Sequence, residues 1–354
     1  MQATSEAPIP ADAGLRPRFL LITDAWAPQT NGVVTTWRTV LEHLEEEFAV
    51  EVIHAGLFET WPLPSYPEIR IARNPWLMKR IIAESGADFV HVATEGPLGV
   101  YARNLLVKAG IPFTTSLHTK FPEYVQERVR LPLSIGYRFM RWFHRPAVRT
   151  LVTTESHRKE LERWGLTELV VWSRGVDIER FQPQAHAPRS RPRCLYVGRV
   201  AVEKNIEAFL ALDIDADKVI VGDGPQRTQL EGRYPDAHWL GYRHGQPLVD
   251  EYAQADVFVF PSLTDTFGLV MLEANACGTP VAGFPVTGPI DVVREGVNGS
   301  LDEDLGKAVS RALTLDRGTC RAHAEDNTWP VVAQRLKDNV VPVDWDNVLT
   351  HRLA

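Results

Sequence analysis

Short apolar runs alternate with longer stretches whose apolar residues recur every three or four positions, and the alternation persists through almost the whole chain. Arg18–Thr23 reads as a buried strand, Val33–Glu47 as a helix and Val50–His54 as a strand. Phe89–Val92, Leu98–Lys108 and Pro112–Ser116 repeat strand, helix, strand, and Leu151–Thr154 with Glu155–Trp164 repeat strand and helix. That order predicts parallel sheet with helical crossovers, since parallel neighbours need a long connection. The pattern lapses at 181–193, FQPQAHAPRSRPR, whose prolines, arginines and near lack of apolar residues predict a linker. It resumes with strands at Cys194–Val197, Lys218–Val221, His238–Leu240, Asp256–Pro261 and Pro280–Ala282. Helices are expected between them at Glu203–Leu212, at Gln226–Arg233 and from about Gly268. The expected organisation is a disordered tail at 1–16, one doubly wound α/β unit at 17–180, the linker at 181–193, and a second unit at 194–325. Residues 326–354 add a weak helical stripe through Trp329, Val332, Leu336 and Val340.

Composition narrows the class. With 354 residues, 44% apolar and 23% charged, the chain is long enough for two or three packed domains. A net charge of −7 argues against a nucleic-acid partner. The three cysteines, Cys194, Cys277 and Cys320, are too few and too scattered for a disulfide framework or a zinc site, which suits a reducing compartment. No apolar run is long enough to span a membrane, and the first residues lack the apolar core of a secretory leader. The expected place is cytoplasmic, or peripheral on the inner face of the cytoplasmic membrane. Against the overall acidity, 120–149 carries seven Lys or Arg and two Glu. Arg138, Arg141 and Arg145 fall on one helical face beside Phe139, Trp142 and Phe143, a composition that fits an interfacial helix on anionic lipid or an ordinary helix packed on its own domain.

In open parallel sheets ligands lie beyond the carboxyl ends of the strands, so the loops there are searched for chemistry. After the first strand Asn31-Gly32 opens a helix: a plain turn, or a place where backbone amides meet an anion. His118 follows the strand ending at Ser116, as a structural histidine or a substrate contact. Arg199 and Lys204 flank a loop into a helix, as solvated charges or as partners of a diphosphate. Gly222-Asp223-Gly224-Pro225 imitates a dinucleotide fingerprint, but Arg227 replaces its third glycine, so a tight turn is the better reading and binding of NAD is disfavoured. Asp213-Ile214-Asp215 precedes a strand and reads as a solvated turn, not a metal element. The richest stretch is 261–274, PSLTDTFGLVMLEA: Asp265 in a loop, Glu273 inside an apolar helical run, and Phe267, Gly268, Leu269 and Val270 with free amides at the helix start.

Together these motifs resemble a retaining glycosyltransferase of family 4, over nearly all of 18–340. The most specific element is SLTDTFGLVMLEANACGTPV, 262–281, which is similar to the family's carboxylate-x7-Glu signature. ATEGPLG (93–99), SLHTKFPEY (116–124) and RGVDIERF (174–181) resemble its GDP-mannose-dependent α-mannosyltransferase and glycolipid synthase subgroup. The resemblance implies a GT-B fold, two facing Rossmann-like domains with a cleft between them, and a helix from 326–354 crossing back to the first domain. It implies no cofactor, no metal, and a nucleotide-diphosphate sugar as donor, GDP-mannose or a UDP-hexose. The acceptor would be a lipid or a glycan. By matched motif, Arg199 and Lys204 would neutralise the diphosphate, and the amides at Asn31-Gly32 and at Phe267–Val270 would hold phosphate and sugar. Glu273 would take the ribose, Asp265 the sugar hydroxyls, His118 the sugar near its sixth carbon, and the base would lie near Tyr242-Arg243. One departure stands out: Asp265 occupies a position where the family usually has Glu. Other readings are the same chemistry on a soluble acceptor, and a catalytically inactive nucleotide-sugar-binding homologue.

Overall fold

The computed structural model describes residues 16–29, 31–63, 66–74, 76–185 and 189–349. The tail expected at 1–16 lies outside them except for Arg16. In the first half follow β1 (Arg18–Thr23), α1 (Gly32–Leu44), β2 (Ala49–His54), β3 (Thr60–Leu63), β4 (Tyr66–Ala72), α2 (Leu77–Ser85), β5 (Phe89–Val92) and α3 (Pro97–Ala109). Then come β6 (Thr114–Leu117), α4 (Phe121–Val129), α5 (Leu133–His144), β7 (Arg149–Val152), α6 (Glu155–Arg163) and β8 (Leu169–Val171). The second half holds β9 (Arg193–Val197), α7 (Ile206–Leu210), β10 (Asp217–Val221), α8 (Arg227–Arg233), β11 (His238–Gly241), α9 (Gln246–Ala253) and β12 (Val257–Phe260). It closes with α10 (Leu269–Ala276), β13 (Val281–Gly283), α11 (Pro289–Val292), β14 (Gly299–Leu301), α12 (Leu305–Ala312), α13 (Arg317–Glu325) and α14 (Trp329–Lys337).

Two six-stranded sheets result, in the orders β2-β1-β5-β6-β7-β8 and β11-β10-β9-β12-β13-β14. Every pairing in them is parallel. The inner strands bury both faces, which is why they read as continuous apolar runs, while the edge strands β2, β8 and β11 are only partly buried. Along β1, Phe19 and Leu21 enter one core cluster while Leu20 and Ile22 enter the other. Strand order reverses between β1 and β5 and again between β9 and β12. Those are the switch points of the two sheets, and the loops just past those four strands are where an open α/β sheet builds a binding crevice.

Three features depart from the pattern read along the sequence. The helix expected over Glu203–Leu212 is broken into one 3-10 turn, Val202–Lys204, and α7, because Asn205 between them takes a left-handed backbone with φ 52°. β3 and β4 form an antiparallel hairpin outside both sheets. The edge strands β8 and β14 were not expected, and each is only three residues long.

The halves are joined twice, side by side. Chain leaving β8 passes Gly175, where a Cβ would sit 2.6 Å from the Trp329 nitrogen of the returning chain. Val176 donates its amide to Asn327 O at 2.9 Å. α14 then lies on α1. Trp329, Val332, Ala333 and Leu336 share a core cluster with Trp37, Val40 and Trp172 of the first half, and Trp172 Nε1 donates to Val332 O at 3.0 Å. Burying such side chains contributes about 1.5–3 kcal/mol each. Beyond α14, Trp345 Nε1 donates to Ala87 O at 3.0 Å, so the returning chain is fastened to the first half along its length. Among the described residues no helix is long and apolar enough to cross a membrane.

Candidate active site

The loop past the switch-point strand β12 meets the loops past β6 and β7 across the domain boundary. Thr266, in the loop after β12, donates its hydroxyl to the carbonyl of His118, in the loop after β6, at 2.8 Å. Thr153 donates its hydroxyl to Thr266 O at 3.2 Å. At the start of α6, Ser156 donates its amide to Asp291 Oδ1 at 2.9 Å and its hydroxyl to Asp291 as well. Three links therefore hold the rim of the cleft, and none of Thr153, Ser156, Thr266 or Asp291 stood out in the sequence.

On the second domain the sequence-nominated residues gather in two adjoining loops. Lys204 Nζ reaches both oxygens of Asp265, at 2.6 and 2.9 Å, with both side chains about three-quarters buried. The resemblance gives these two groups separate tasks, diphosphate and sugar; the structure makes them an ion pair. The loops are stitched together around it: Asn205 Nδ2 donates to Pro261 O, and the hydroxyls of Ser262 and Thr264 face Glu203 O. Arg199 is exposed on the loop after β9, where Tyr196 donates its hydroxyl to the Arg199 carbonyl at 2.9 Å. Gly222-Asp223-Gly224 is the prop beneath that loop. A Cβ at Gly222 would lie 1.8 Å from Gly198 O, and one at Gly224 2.3 Å from Val200 O. Its glycines serve backbone approach within the protein.

α10 starts after Gly268, whose φ of +88° turns the chain from strand into helix. Phe267 sends its side chain into the second core, so only its backbone faces the cleft, while Leu269 packs against clusters of both domains. Gly288 (φ +96°) lies under this turn, where a Cβ would come 2.6 Å from Asp265 O. Glu273, in the second turn of α10, accepts a hydrogen bond on Oε2 from the buried Tyr252 hydroxyl at 2.7 Å. Burial raises the Glu273 pKa; the Tyr252 hydrogen bond and the Arg180 charge act in the opposite direction. Arg243, past the edge strand β11, donates to the carbonyl of its neighbour Tyr242 at 3.3 Å, and no described contact ties it to the loops after β9 and β12.

On the first domain Asn31 caps α1: its Oδ1 accepts from the amides of Val33 and Val34, both at 3.0 Å. Two of the amides that would greet an anion are thereby taken. Gly32 is exposed with open space where a Cβ would stand. Asp24 was not nominated. Its carboxylate accepts from Leu98 N (2.8 Å), Gly99 N (3.1 Å) and the Thr94 hydroxyl (2.9 Å), capping α3 and joining the loops after β1 and β5. Burial nonetheless raises its pKa.

His118 is nearly enclosed. Trp37 Nε1 donates to His118 Nε2 at 3.0 Å, the Ser116 hydroxyl lies 2.8 Å from the same nitrogen, and Arg174 Nη2 lies 2.5 Å from Nδ1. Burial, then the Arg174 and His91 charges, hold its pKa well below the usual imidazole range, so the ring is neutral at pH 7. RGVDIERF was singled out as a motif, but nothing in the linear sequence says that its arginine meets a histidine 56 positions earlier.

The basic segment divides. Lys120 pairs with Glu160 at 2.7 Å, and Arg149 donates to the carbonyls of Asp338 and Asn339. Phe143 is buried and Phe139 half-buried, so of the three expected aromatics only Trp142 is exposed, with the Arg103 guanidinium 4.2 Å from its ring. Arg130, Arg138, Arg141 and Arg145 are exposed, next to exposed Phe121 and Ile135. Asp215 of the Asp-x-Asp element pairs with Arg191 at 2.8 Å. Among the described residues no group of three or more His, Cys, Asp or Glu is placed to hold a metal ion.

Comparison with known proteins identifies the family and the fold. A model described as Glycosyltransferase Family 4 matches residues 30–180, and one described as Glycosyl transferases group 1 matches 191–315. The chain is 29% identical to a GDP-mannose-dependent alpha-mannosyltransferase of Corynebacterium glutamicum, over 93% of this chain and 90% of that one. It is 30% identical to a sulfoquinovosyl transferase of Arabidopsis thaliana, over 86% of this chain and 66% of that one. Among solved structures, sucrose-phosphate synthase from Thermosynechococcus elongatus superposes with a TM-score of 0.77 at 20% identity, covering 91% of this chain and 98% of that one.

Proposed function

This chain belongs to glycosyltransferase family 4 and has the GT-B fold, and from that footing we propose that it moves mannose from GDP-mannose to a lipid or lipid-linked acceptor at a membrane surface, with retention and without a metal. The observation that carries the donor is the match, along most of both chains, to GDP-mannose-dependent α-mannosyltransferases of two genera. The acceptor class is suggested by relatives whose names describe glycolipid synthesis, among them an alpha-monoglucosyldiacylglycerol synthase of Streptococcus pneumoniae, 25% identical over 84% of this chain and 78% of that one. The exposed arginines and Trp142 on α5 fit an anionic surface. Residues 17–180 form the acceptor side and 194–325 the nucleotide side in this reading.

Scission of a sugar–phosphate bond builds negative charge on the diphosphate. Groups already aimed at that charge are the largest catalytic term on offer. Arg199 and Lys204 supply it as cations, and the amides at the start of α10 supply it as dipoles. Binding of the donor divides the Lys204–Asp265 pair, turning the ammonium to phosphate and leaving the carboxylate for sugar hydroxyls. Glu273, fixed by Tyr252, keeps Oε1 for a ribose hydroxyl, His118 lies at the sixth carbon, and the nucleobase rests near Arg243. With the leaving phosphate taking the acceptor's proton, attack comes from the face the diphosphate leaves.

The names of two relatives describe sugars other than mannose, sulfoquinovose and glucose, which favours as a second reading the other donor that the sequence resemblance implies, a UDP-hexose. Thermal unfolding against GDP, UDP, ADP and NAD at matched concentration separates the two. A ligand at 100 times its Kd stabilises by about 2.7 kcal/mol. A shift with GDP alone is expected; a shift with UDP alone moves the donor to a UDP-hexose, and a shift with NAD alone ends the glycosyltransfer reading. Turnover that persists in EDTA checks the metal independence.

A further inference from the structure

The hairpin β3–β4 and the turn that follows it hold two of the three exposed tryptophans among the described residues, Trp61 at 61% exposure and Trp76 at 59%. Leu57 and Leu77 at its two roots are exposed as well, while Phe58 anchors it in the first core. Single exposed apolar side chains are ordinary, but four within one short stretch make a patch. Its position is also specific. One 3-10 turn, Ala55–Leu57, leads into the hairpin from the carboxyl end of β2. His54 at that end has its ring centroid 6.0 Å from that of Trp26, in the loop past β1. The hairpin therefore springs from the rim of the first domain's crevice, beside the switch-point strand β1.

Its polar groups are planar and gathered at the rings. The Arg73 guanidinium stands 4.4 Å from the centre of the Trp61 ring and covers one face, and with the residue 61% exposed the other face is open. Glu59 meets Arg73 at 3.9 Å and donates its amide to Asn74 Oδ1 at 3.0 Å, and Arg73 donates its own amide to Glu59 O at 2.7 Å. That clasp ties the two strands, and Trp61 and Trp76 each lie two residues from it, within about 7 Å of extended chain. Charge separates this surface from α5. Between Leu57 and Leu77 two acids, Glu59 and Glu68, balance two arginines, Arg70 and Arg73, so an anionic bilayer finds no net attraction there. Nor is the hairpin built to receive a strand from a second copy, since Pro62 and Pro67 withhold amides from its edges. The chemistry that remains is that of a sugar. A pyranose presents a faintly positive patch of C–H groups that lies flat on the negative face of an indole, while the hydroxyls around it pair with guanidinium, carboxylate and amide side chains.

We propose that Trp61 and Trp76 form a glycan-binding platform, a subsite for sugar residues of the acceptor beyond the one that receives the transferred hexose. Trp61 stacks one pyranose on its open face, Arg73, Glu59 and Asn74 take the hydroxyls of that ring, and Trp76 carries a further residue of the same glycan. The proposal rests on the glycosyltransfer reading for the role of the bound sugar as acceptor, but the contact itself needs no nucleotide. It makes the acceptor an oligosaccharide, free or lipid-linked, and the hairpin the element that selects among glycan lengths.

The test uses the full chain with isotope-labelled tryptophan, titrated with an α-linked mannotriose, maltotriose, methyl α-D-mannoside and sorbitol, with and without saturating GDP. Indole resonances, assigned with Trp61→Ala, Trp76→Ala and Trp142→Ala, are read together with the fitted Kd. At least one trisaccharide is expected to move the Trp61 and Trp76 signals, to leave that of Trp142 in place, and to bind about fivefold or more tightly than methyl α-D-mannoside, with sorbitol inert. Trp61→Ala should weaken trisaccharide binding about fivefold or more and leave the Kd for GDP unchanged, while Trp142→Ala binds the sugar as wild type. Preference for one trisaccharide names the glycan, mannose or glucose, and supports the platform either way. Trp61 and Trp76 signals that neither trisaccharide moves, equal movement with sorbitol, or wild-type affinity in Trp61→Ala overturns the proposal. Phosphatidylcholine vesicles that move both signals while the trisaccharides do not would make the hairpin a lipid anchor and overturn it too. If Trp61→Ala does not fold, Trp76→Ala and the wild-type comparison of trisaccharides with sorbitol decide. Failure of the glycosyltransfer reading shows separately, as absence of GDP binding, and the titration without nucleotide still judges the platform.

Discussion

Glu273, the proposed ribose contact, shows at the residue scale how a group placed for binding would weaken the fold that carries it. Its carboxyl lies in an apolar helix and keeps one hydrogen bond, from Tyr252, against the burial that raises its pKa. A carboxyl that holds its proton more tightly folded than unfolded favours the folded state below its unfolded pKa. That advantage is lost as pH rises through the raised folded value. At pH 7, above its unfolded pKa, Glu273 therefore works against stability, and Glu273→Gln, which keeps the shape and most of the hydrogen bonding, should raise the unfolding midpoint by about 2 °C. The gain should shrink as pH falls toward the ordinary carboxylate range. The same variant should bind the nucleotide about tenfold more weakly, since a neutral amide accepts a ribose hydroxyl less strongly than a carboxylate does. A midpoint that is unchanged at pH 7, or a gain that grows on acidification, contradicts this account. Lys204 and Asp265 carry a related tension, because their mutual pairing competes with whatever each is to hold.

At the scale of elements, α5 is the one helix with two candidate audiences. Its inner side is settled: Tyr137, Met140 and Phe143 are buried, and Tyr137 stacks on Trp164 with ring centroids 4.2 Å apart. Its outer side is cationic and carries Trp142. Replacing Arg138, Arg141 and Arg145 by Glu should cut sedimentation with anionic vesicles steeply, at about 1 kcal/mol per basic residue removed and more for reversal, while leaving GDP binding intact. Equal sedimentation of the two proteins, or equal binding of wild type to neutral and anionic vesicles, would show that α5 does not face lipid. The same helix illustrates what a linear reading can see. Composition exposed the basic, aromatic character of 120–149, but which aromatic turns inward is decided by packing, and Phe143 turned in. The inner strands of both sheets were legible because two-sided burial writes itself as uninterrupted apolar runs, while the edge strands β8 and β14, three residues each, were not. The helix over 203–212 was not, because one residue, Asn205, breaks it with a backbone conformation that no period announces. Loops at the strand ends were legible through topology, and Arg199, Lys204, Asp265 and Glu273 follow from it. Their partners were not. Tyr252 to Glu273, Lys204 to Asp265 and Arg174 to His118 are contacts between distant stretches, fixed only when the sheets align them.

For the whole molecule the question is what sets the separation of the two halves. Side-by-side crossings at Gly175 and Trp329 form the back of the joint, and there the backbones touch too closely for a Cβ. Such a joint permits rotation while resisting translation. The rim is held by Thr266 to His118, Thr153 to Thr266 and Ser156 to Asp291. These are few and polar, the kind of contact that a moving boundary can break and remake. Thr266→Val removes the hydroxyl and keeps the shape. A hydrogen bond of this kind contributes about 1 kcal/mol net, so the balance between closed and open forms should move about fivefold toward open. The expected result is a larger radius of gyration in solution scattering and a donor KM raised about fivefold, with kcat less affected because saturating donor closes the cleft again. Thr266→Ser, which keeps the hydroxyl, should restore both. A Thr266→Val protein with unchanged scattering and unchanged KM would mean that the rim merely touches and that α14 on α1 alone fixes the spacing. Loss of kcat with KM unaltered would instead place the Thr266 hydroxyl among the groups that act on the reacting sugar.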